Sequence, residues 1–200
     1  MGFFGCVTAA CAAAIVVAGA ASAEETIIFV RHGEKPAQGL GQLDCQGFNR
    51  ALALPAAILK GFRKPGAIFA PNPADQKKDE GEEYDYVRPL ATVEPAAIVF
   101  GLPVNARIAY DDSAGLTKAL EGDALHKATV LVGWEHKIIV DVARMLLSAH
   151  GGDPADVPNW NGGDFDSIYV VKIDWSGPKP TATFARSSEG LNGQPEACPK

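Results

Sequence analysis

The sequence predicts an α/β fold, a three-layer sandwich whose sheet is mainly parallel and has an antiparallel edge. Up to residue 150, short apolar segments typical of buried strands alternate with longer segments of helical periodicity. Nearer the C-terminus, two strand-like segments at 167–175 and 181–186 are joined by a connection too short for a helical crossover. We therefore expect right-handed crossovers between the parallel strands, and a hairpin at one edge of the sheet.

The first predicted strand comprises the apolar or β-branched residues 26–30 and runs directly into residues 31–34, which read Arg-His-Gly-Glu. The glycine in this turn ends the strand. The next segment, 45–61, carries a helical apolar pattern, with Asp44 as its predicted N-cap and Gly61 as its predicted end.

The second predicted strand covers residues 66–70. The segment that follows, 71–87, is polar and densely charged, which predicts a solvated loop and a candidate lid over a binding site. Arg88 then precedes a predicted helix at 89–101, which begins with a proline. The third predicted strand is 104–110.

Two aspartates and a serine begin a short predicted helix within residues 111–120. The fourth predicted strand, 128–134, is the most apolar segment of the domain. Glu135 and His136 follow it directly and open a predicted helix at 137–150.

Residues 1–23 have the pattern of a signal peptide. They carry no charged side chain, contain an apolar run, and end in Ala21-Ser22-Ala23 immediately before Glu24. A membrane anchor is the alternative, but the apolar run is short for a bilayer span and rich in Ala and Gly. We expect cleavage after Ala23, a mature domain at 24–200, no stable membrane anchor after processing, and a periplasmic or secreted protein.

The overall charge restricts the partners. The chain has a net charge of −6 at pH 7 and a pI near 5.2, and no basic patch stands out in the sequence. This argues against nucleic acid as a partner. Binding of a phosphorylated small molecule would have to depend on a local cluster of positive groups. The oligomeric state cannot be predicted.

Two cysteines, Cys45 and Cys198, remain after removal of the leader. In an oxidising compartment they could form a disulfide that ties the C-terminal tail near the turn at residues 31–34. Two unpaired thiols are the alternative, and the sequence does not decide between them.

Four residues fit one chemical task when they are taken together. Arg31 and His32 end the first strand, and His136 follows the fourth, so both histidines lie in turns at the carboxyl edge of the predicted sheet. Arg88 heads a helix, as does His136, and helix starts offer N–H groups and a positive dipole end to an anion. Guanidinium groups bind phosphate oxygens in a bidentate manner, while a histidine among them can attack phosphorus.

The sequence resembles the histidine phosphatase superfamily, which includes the phosphoglycerate mutase-like and acid phosphatase-like proteins. RHGE at 31–34 is similar to the family's Arg-His-Gly motif, LDCQGFNRA to the segment after it, RPLATVEPA to the second-arginine motif, and VLVGWEH to the strand with the second histidine. The resemblance covers most of the mature chain. It implies a phosphoglycerate mutase-like fold, a phosphohistidine intermediate on His32, catalysis assisted by His136, and no cofactor.

The chain departs from the family's pattern at two places. A charged segment is inserted before Arg88, and Glu135 and Lys137 flank His136 where relatives often have Gly or Asp. These departures leave the proton donor for the leaving group undecided. The resemblance favours Asp111 or Asp112. Glu34 and Glu135, which we group with Arg31 and Arg88 in the phosphate-binding set, and Glu94 are alternatives.

The sequence thus predicts an exported phosphatase, a hydrolase that acts on small phosphate monoesters. The alternative is a catalytically degenerate protein of the same fold that binds a phosphorylated ligand. A mutase is disfavoured because that chemistry is cytosolic, and a metal site is disfavoured because two arginines beside the histidines would repel a cation.

Overall fold

The computed structural model describes residues 1–2 and 23–200, so the predicted leader lies almost entirely outside the described residues. In chain order the elements are β1 (Glu24–Arg31), α1 (Cys45–Gly61), β2 (Ala67–Pro71), β3 (Gln76–Asp79), β4 (Glu82–Asp85), α2 (Arg88–Phe100), β5 (Val104–Ile108), α3 (Ser113–Leu120), β6 (Thr129–Trp134), α4 (His136–Ala149), β7 (Ser167–Asp174) and β8 (Thr181–Ser188).

A six-stranded sheet in the order β5-β2-β6-β1-β7-β8 forms the middle layer. The first four strands of this order are parallel to one another. Strand β7 runs antiparallel to β1, and β8 runs antiparallel to β7. The predicted fold class, including the antiparallel hairpin at the edge, is therefore confirmed.

Both faces of the sheet are buried under helices, as β1 shows. Ile27 and Phe29 join the apolar cluster that includes residues of α3 and α4, whereas Ile28 and Val30 join the cluster formed with α1 and α2. Successive side chains of a strand point to opposite faces, so a strand that is apolar throughout must be covered on both sides. This is why the first strand shows a continuous apolar run instead of an alternating one.

Helix α1 begins and ends at the predicted residues. The Asp44 side chain accepts a hydrogen bond from the Gly47 N–H at 2.8 Å and so satisfies one of the donors left open at the helix start. The helix continues through Pro55 to Gly61. This start fixes the position of the chain that follows the 31–34 turn.

The predicted solvated loop at 71–87 was wrong, because most of it forms the hairpin of β3 and β4. Glu80 and Gly81 connect the two strands, and both have positive φ angles, 53° and 104°. A two-residue type I′ turn requires this conformation, and glycine favours it. The prediction failed because charged residues occupy both faces of these short strands and conceal the strand periodicity.

Cys45 and Cys198 are joined by a disulfide, which resolves the alternative that the sequence left open. The C-terminal tail also contacts α1 through Asn49, whose amide donates to the carbonyl oxygens of Pro195 and Ala197, each at 2.8 Å. The tail is therefore fixed beside the first turn of α1.

Within residues 1–2 and 23–200, no helix combines the length and the apolar character that a membrane span requires.

Candidate functional site

The parallel pairing of β1 with β6 brings the two histidine-bearing turns together. Arg31 pairs with Trp134 in the sheet register, and the His32 N–H donates to the Trp134 carbonyl at 3.1 Å. His32 and His136 therefore leave the same edge of the sheet side by side. A cavity of about 250 Å³ opens there and is lined by Arg31, His32, Lys35, Lys77, Lys78, Asp79, Arg88, Glu135, His136 and Lys137.

His32 is held as a neutral imidazole with one free lone pair. The side chain is buried, and its Nδ1 lies 2.8 Å from the Gly33 carbonyl. Because a carbonyl can only accept, Nδ1 carries the proton and Nε2 keeps its lone pair. Burial, reinforced by the positive charges of Arg88 and Arg31, lowers the pKa of His32 to about 3. The ring is therefore unprotonated at neutral pH.

Arg31 is positioned by the loop that follows α4. Its Nη1 donates to the carbonyl oxygens of Gly162, at 2.6 Å, and Asp164, at 3.1 Å. The guanidinium carbon also lies 3.8 Å from the ring centre of Phe165. These contacts use one end of the guanidinium group and leave the Nε, which is buried, without a partner among the described residues.

Arg88 approaches the cavity from the first turn of α2. Its Nη1 donates to an oxygen of Asp79, and its guanidinium lies over the ring of Tyr86 with 4.9 Å between the guanidinium carbon and the ring centre. Thr92, one helical turn later, donates its hydroxyl to the Arg88 carbonyl at 2.9 Å and accepts the Gly33 N–H at 3.0 Å. Thr92 thereby connects the turn of His32 to the helix of Arg88.

Glu135 is the N-cap of α4. Its Oε2 accepts from the N–H groups of Lys137, at 2.9 Å, and Ile138, at 3.2 Å, while its Oε1 lies 3.0 Å from His136 Nδ1 without the alignment of a hydrogen bond. Burial acts to raise the pKa of Glu135, but the contact with His136 and the charge of Lys77 outweigh it and lower the pKa to about 2. This corrects our expectation that the start of α4 offers N–H groups to an anion, because Glu135 occupies them.

Buried polar atoms without partners concentrate around His32. Among the described residues, six buried side-chain N or O atoms have no hydrogen-bond partner, and four of them belong to residues near this histidine. These four are Arg31 Nε, Tyr86 Oη, Arg88 Nε and His136 Nδ1. Unsatisfied buried polar groups are costly, so such a cluster indicates the position of a polar ligand.

Three other predicted proton donors, Asp111, Asp112 and Glu94, are not among the residues that line the cavity. Asp112 is the N-cap of α3, where it accepts the Gly115 N–H at 2.8 Å, and Asp111 lies beside it outside the cavity lining. Glu94 lines a groove between α1 and α2. Asp112 is held in place by its role as a helix cap, and the position of Glu94 follows from the helical periodicity of α2.

Glu34, which we grouped with the phosphate-binding residues, contacts a buried arginine instead of the cavity. Its carboxylate accepts from Arg50 at 2.7 Å, and Arg50 also binds Glu189 at 2.7 Å and Asp166 at 3.5 Å. This network ties the 31–34 turn to α1 and to the end of β8. The contacts of Glu34 support a structural role, because its carboxylate binds Arg50, which Glu189 and Asp166 also contact.

Asp79, which the sequence did not point out, is the carboxylate of the hairpin that faces the cavity. It accepts from Lys35 at 2.5 Å and from Arg88. Burial acts to raise the pKa of Asp79, but these two hydrogen bonds outweigh it and lower the pKa. Lys77 lies on the same side of β3 by strand alternation. Recognising the Glu80-Gly81 turn in the sequence would have revealed this alternation and both residues.

No group of three or more His, Cys, Asp or Glu side chains arranged to hold a metal ion occurs among residues 1–2 and 23–200.

No protein-family model matches the sequence, and no curated protein matches it. The fold is similar to that of a candidate phosphohistidine phosphatase, SixA, from Nakamurella multipartitia, with a TM-score of 0.52, 13% identity, and coverage of 82% of this chain and 95% of that one. It is also similar to a mycobacterial glucosyl-3-phosphoglycerate phosphatase in complex with VO3, with a TM-score of 0.50, 15% identity, and coverage of 80% and 97%. The chain therefore shares the phosphoglycerate mutase-like fold of these histidine phosphatase superfamily members.

Proposed function

From the fold shared with histidine phosphatases, we propose that this chain is an exported enzyme that hydrolyses phosphate monoesters through a phosphohistidine on His32. One observation carries the proposal: a buried, neutral His32 lines a cavity that is surrounded by buried polar atoms without partners. Both structural neighbours are phosphatases, which supports the same class of reaction.

The first step transfers the phosphoryl group to His32. The Nε2 lone pair attacks phosphorus, the bond to the ester oxygen breaks, and the leaving alcohol takes a proton. Arg31 and Arg88 supply guanidinium N–H groups to the phosphoryl oxygens, and His136 lies at the same edge. The Gly33 carbonyl holds the proton of Nδ1, so the positive charge that develops on the ring during attack is stabilised by a hydrogen bond.

The second step regenerates the enzyme. A water molecule attacks phosphorus, the nitrogen–phosphorus bond breaks, and the electron pair returns to His32 Nε2 while inorganic phosphate leaves. The water must lose a proton as it attacks, and the group that donated a proton in the first step can accept one here. Asp79 is the carboxylate that we assign to this role, because its partners Arg88 and Lys35 are cavity side chains that a bound phosphoryl group can draw away, whereas Glu135 is fixed by backbone N–H groups of α4.

The disulfide between Cys45 and Cys198 supports export, because such bonds persist in oxidising compartments outside the cytoplasm. The signal-peptide pattern at residues 1–23 is consistent with this location. N-terminal sequencing of the protein from its native location should give Glu24 as the first residue. Intact Met1 on protein in the cytoplasm would contradict export.

The decisive experiment is detection of the covalent intermediate. Enzyme quenched rapidly during turnover and digested without acid should carry one phosphoryl group on the peptide that contains His32, stable to base and labile to acid. His32→Ala should abolish both the label and hydrolysis, whereas His126→Ala, which alters a histidine outside the cavity, should retain both. Binding of phosphate esters without label or hydrolysis in the wild type would instead support a phospho-ligand binding protein.

A further inference from the structure

We propose that Arg50, a buried arginine of α1 that lies outside the cavity, is a positioning residue that fixes His32 relative to Arg31. The inference rests on the proposed phosphatase function and concerns the alignment of the groups that act on the phosphoryl group. It depends on the segments that Arg50 contacts, because one of them carries the proposed nucleophile and another orients the arginine beside it.

Arg50 holds the turn of His32 through Glu34. Its Nε lies 2.9 Å from Glu34 Oε2 and its Nη2 lies 2.7 Å from Glu34 Oε1, so the two side chains form a bidentate pair. The planar guanidinium fixes both the distance and the orientation of a carboxylate in such a pair, which a lysine does not. Glu34 is two residues after His32, and its carbonyl accepts the Asp44 N–H at 3.0 Å. The turn is therefore held against the start of α1 through both a side chain and the backbone.

The other end of the same guanidinium faces the segment that orients Arg31. Arg50 Nη1 lies 3.5 Å from Asp166 Oδ1. Asp166 ends the segment 162–166, in which two backbone carbonyls accept from Arg31 and the ring of Phe165 packs against its guanidinium. Arg50 thus joins the turn that carries the proposed nucleophile to the loop that orients the adjacent arginine.

The chain that follows β8 anchors this arrangement. Arg50 Nη1 donates to Glu189 Oε2 at 2.7 Å, and the Glu189 N–H donates to the Asp166 carbonyl at 2.7 Å. The Asp166 carboxylate also accepts the Leu191 N–H at 2.6 Å. The segment that orients Arg31 is therefore fixed to the end of the central sheet as well as to Arg50.

The effect of Arg50 on turnover has to be transmitted through geometry. The Arg50 side chain is 1% exposed and does not line the cavity, so it does not touch a bound phosphate ester. Attack on phosphorus requires the nucleophile and the groups that bind the phosphoryl oxygens to be aligned, and a displacement of about 1 Å caused by a remote substitution can reduce the rate by about 10²-fold.

Arg50→Lys isolates this geometric role, because it keeps the charge and loses the bidentate pair. We expect kcat to fall by about 10- to 100-fold. KM should change much less, since Arg88 still binds the phosphoryl group. The assay is run well below the Tm of each variant, so that only folded protein is compared. Asn49→Ser is the matched control, because Asn49 is the preceding residue of α1 and contacts only the C-terminal tail, and it should retain kcat. A wild-type kcat in Arg50→Lys would overturn the positioning role, whether or not its Tm falls.

A double-variant cycle tests the route through Glu34. Glu34→Gln keeps the size of the side chain and also breaks the bidentate pair, so it should reduce kcat as Arg50→Lys does. If Arg50 acts through Glu34, the variant with both substitutions should lose no more activity than the more impaired single variant. Losses that multiply would show independent effects and would overturn this route.

Failure of the inference is distinguishable from failure of the proposed function. If the wild type hydrolyses no phosphate ester, the phosphatase is overturned, and NMR of the His32 ring nitrogens then decides the positioning role. These signals are identified by their loss in His32→Ala. Arg50→Lys should shift the Nδ1 signal, because movement of the turn alters the contact of Nδ1 with the Gly33 carbonyl, whereas Asn49→Ser should not. Unchanged His32 signals in Arg50→Lys would overturn the inference without reference to activity.

Discussion

Among single residues, Asp79 is the carboxylate that we propose as the proton donor for the leaving group. In the free site Arg88 and Lys35 hold its carboxylate ionised. A phosphoryl dianion that binds Arg88 competes for this guanidinium and places negative charge near Asp79, and both effects raise the pKa of an adjacent carboxyl group. Binding of the substrate thereby makes Asp79 a better acid than it is in the free enzyme.

Replacement of Asp79 by Asn should therefore depend on the leaving group. We expect kcat/KM for an alkyl phosphate to fall by about 10²–10⁴, the usual contribution of a positioned acid. An activated aryl phosphate, whose leaving oxygen needs no proton, should lose much less. Asp112→Asn is the control, since asparagine also caps helices and Asp112 lies outside the cavity. Equal losses for both substrates would assign Asp79 a role in positioning only.

The residues of the site differ in how far the sequence could reveal them. Arg31 and His32 follow a strongly apolar strand, so their place at the carboxyl edge could be predicted. Asp79 could not be found in this way, because its contacts with Lys35 and Arg88 span 44 and 9 positions and depend on how the hairpin folds back. Pairing across such distances leaves no pattern of its own in the sequence, and only the Glu80-Gly81 turn could have indicated the hairpin.

At the scale of elements, the turn of His32 depends on how closely it approaches the start of α1. A Cβ atom at Gly47 would lie 2.7 Å from the Glu34 backbone nitrogen, and one at Gly33 would lie 2.9 Å from the Gly47 Cα. Real side chains do not reach such distances from backbone atoms, so the two segments fit together only because both residues lack side chains. The segment LDCQGFNRA thus has a steric reason for its glycine.

Gly47→Ala should consequently reduce stability by about 1–3 kcal/mol, the range for overpacking, and should reduce kcat because the turn of His32 must shift. Gly61→Ala is a matched control in the same helix. It meets no atom within 4 Å and should stabilise the fold by about 0.5–1 kcal/mol, since alanine favours helices. Thermal unfolding and kcat of both variants test the pair. Equal stability changes would contradict the steric explanation.

The elements themselves were predictable where burial produces a pattern. The six buried residues of β6, most of them apolar, and the cap and apolar periodicity of α1 allowed nearly correct bounds to be predicted. The hairpin of β3 and β4 escaped prediction because it belongs to no apolar layer. Its strands form a separate two-stranded sheet, and Asp79 of this sheet contacts Lys35 and Arg88.

For the whole molecule, the disulfide joins two distant parts of the chain. Cys45 and Cys198 are separated by 153 positions, so the bond restricts a very large loop in the unfolded chain. The loop-entropy model gives roughly 5 kcal/mol for such a loop, and measured values commonly lie at about 2–5 kcal/mol. We expect a reductant to lower the Tm of the mature protein. The Cys45→Ser/Cys198→Ser double variant should have a Tm below that of the oxidised wild type, and reductant should not alter it. A wild-type Tm that does not respond to reductant would contradict the structure.

The dependence of stability on pH should reflect a buried carboxyl group near the amino end of β1, at the end of the strand away from His32. Glu25 is fully buried on β1, and its Oε2 accepts from Trp175 Nε1 at 3.0 Å while its Oε1 has no partner. Burial raises the pKa of Glu25 from 4.5 to about 8, and the charge of Glu121 adds to the increase, against the hydrogen bond from Trp175. The native state therefore keeps this proton between pH 4.5 and 8, whereas the unfolded chain has released it.

Unfolding in that range releases a proton, so the free energy of unfolding should decrease as the pH rises, by at most about 1.4 kcal/mol per pH unit for one group. His32 has the opposite effect below its unfolded pKa of 6.5, because its folded pKa is lowered to about 3 and the unfolded chain takes up its proton there. Above pH 6.5 the contribution of His32 has ended, and Glu189, whose pKa burial also raises to about 8, contributes equally to the wild type and to a Glu25 variant, so the difference between the two isolates Glu25. Glu25→Gln imitates the protonated side chain at every pH, so the difference in Tm between this variant and the wild type should grow across that range. Glu24→Gln alters the neighbouring, more exposed glutamate and should follow the wild-type curve in shape. Parallel curves for the wild type and Glu25→Gln would show that Glu25 is ionised in the folded protein.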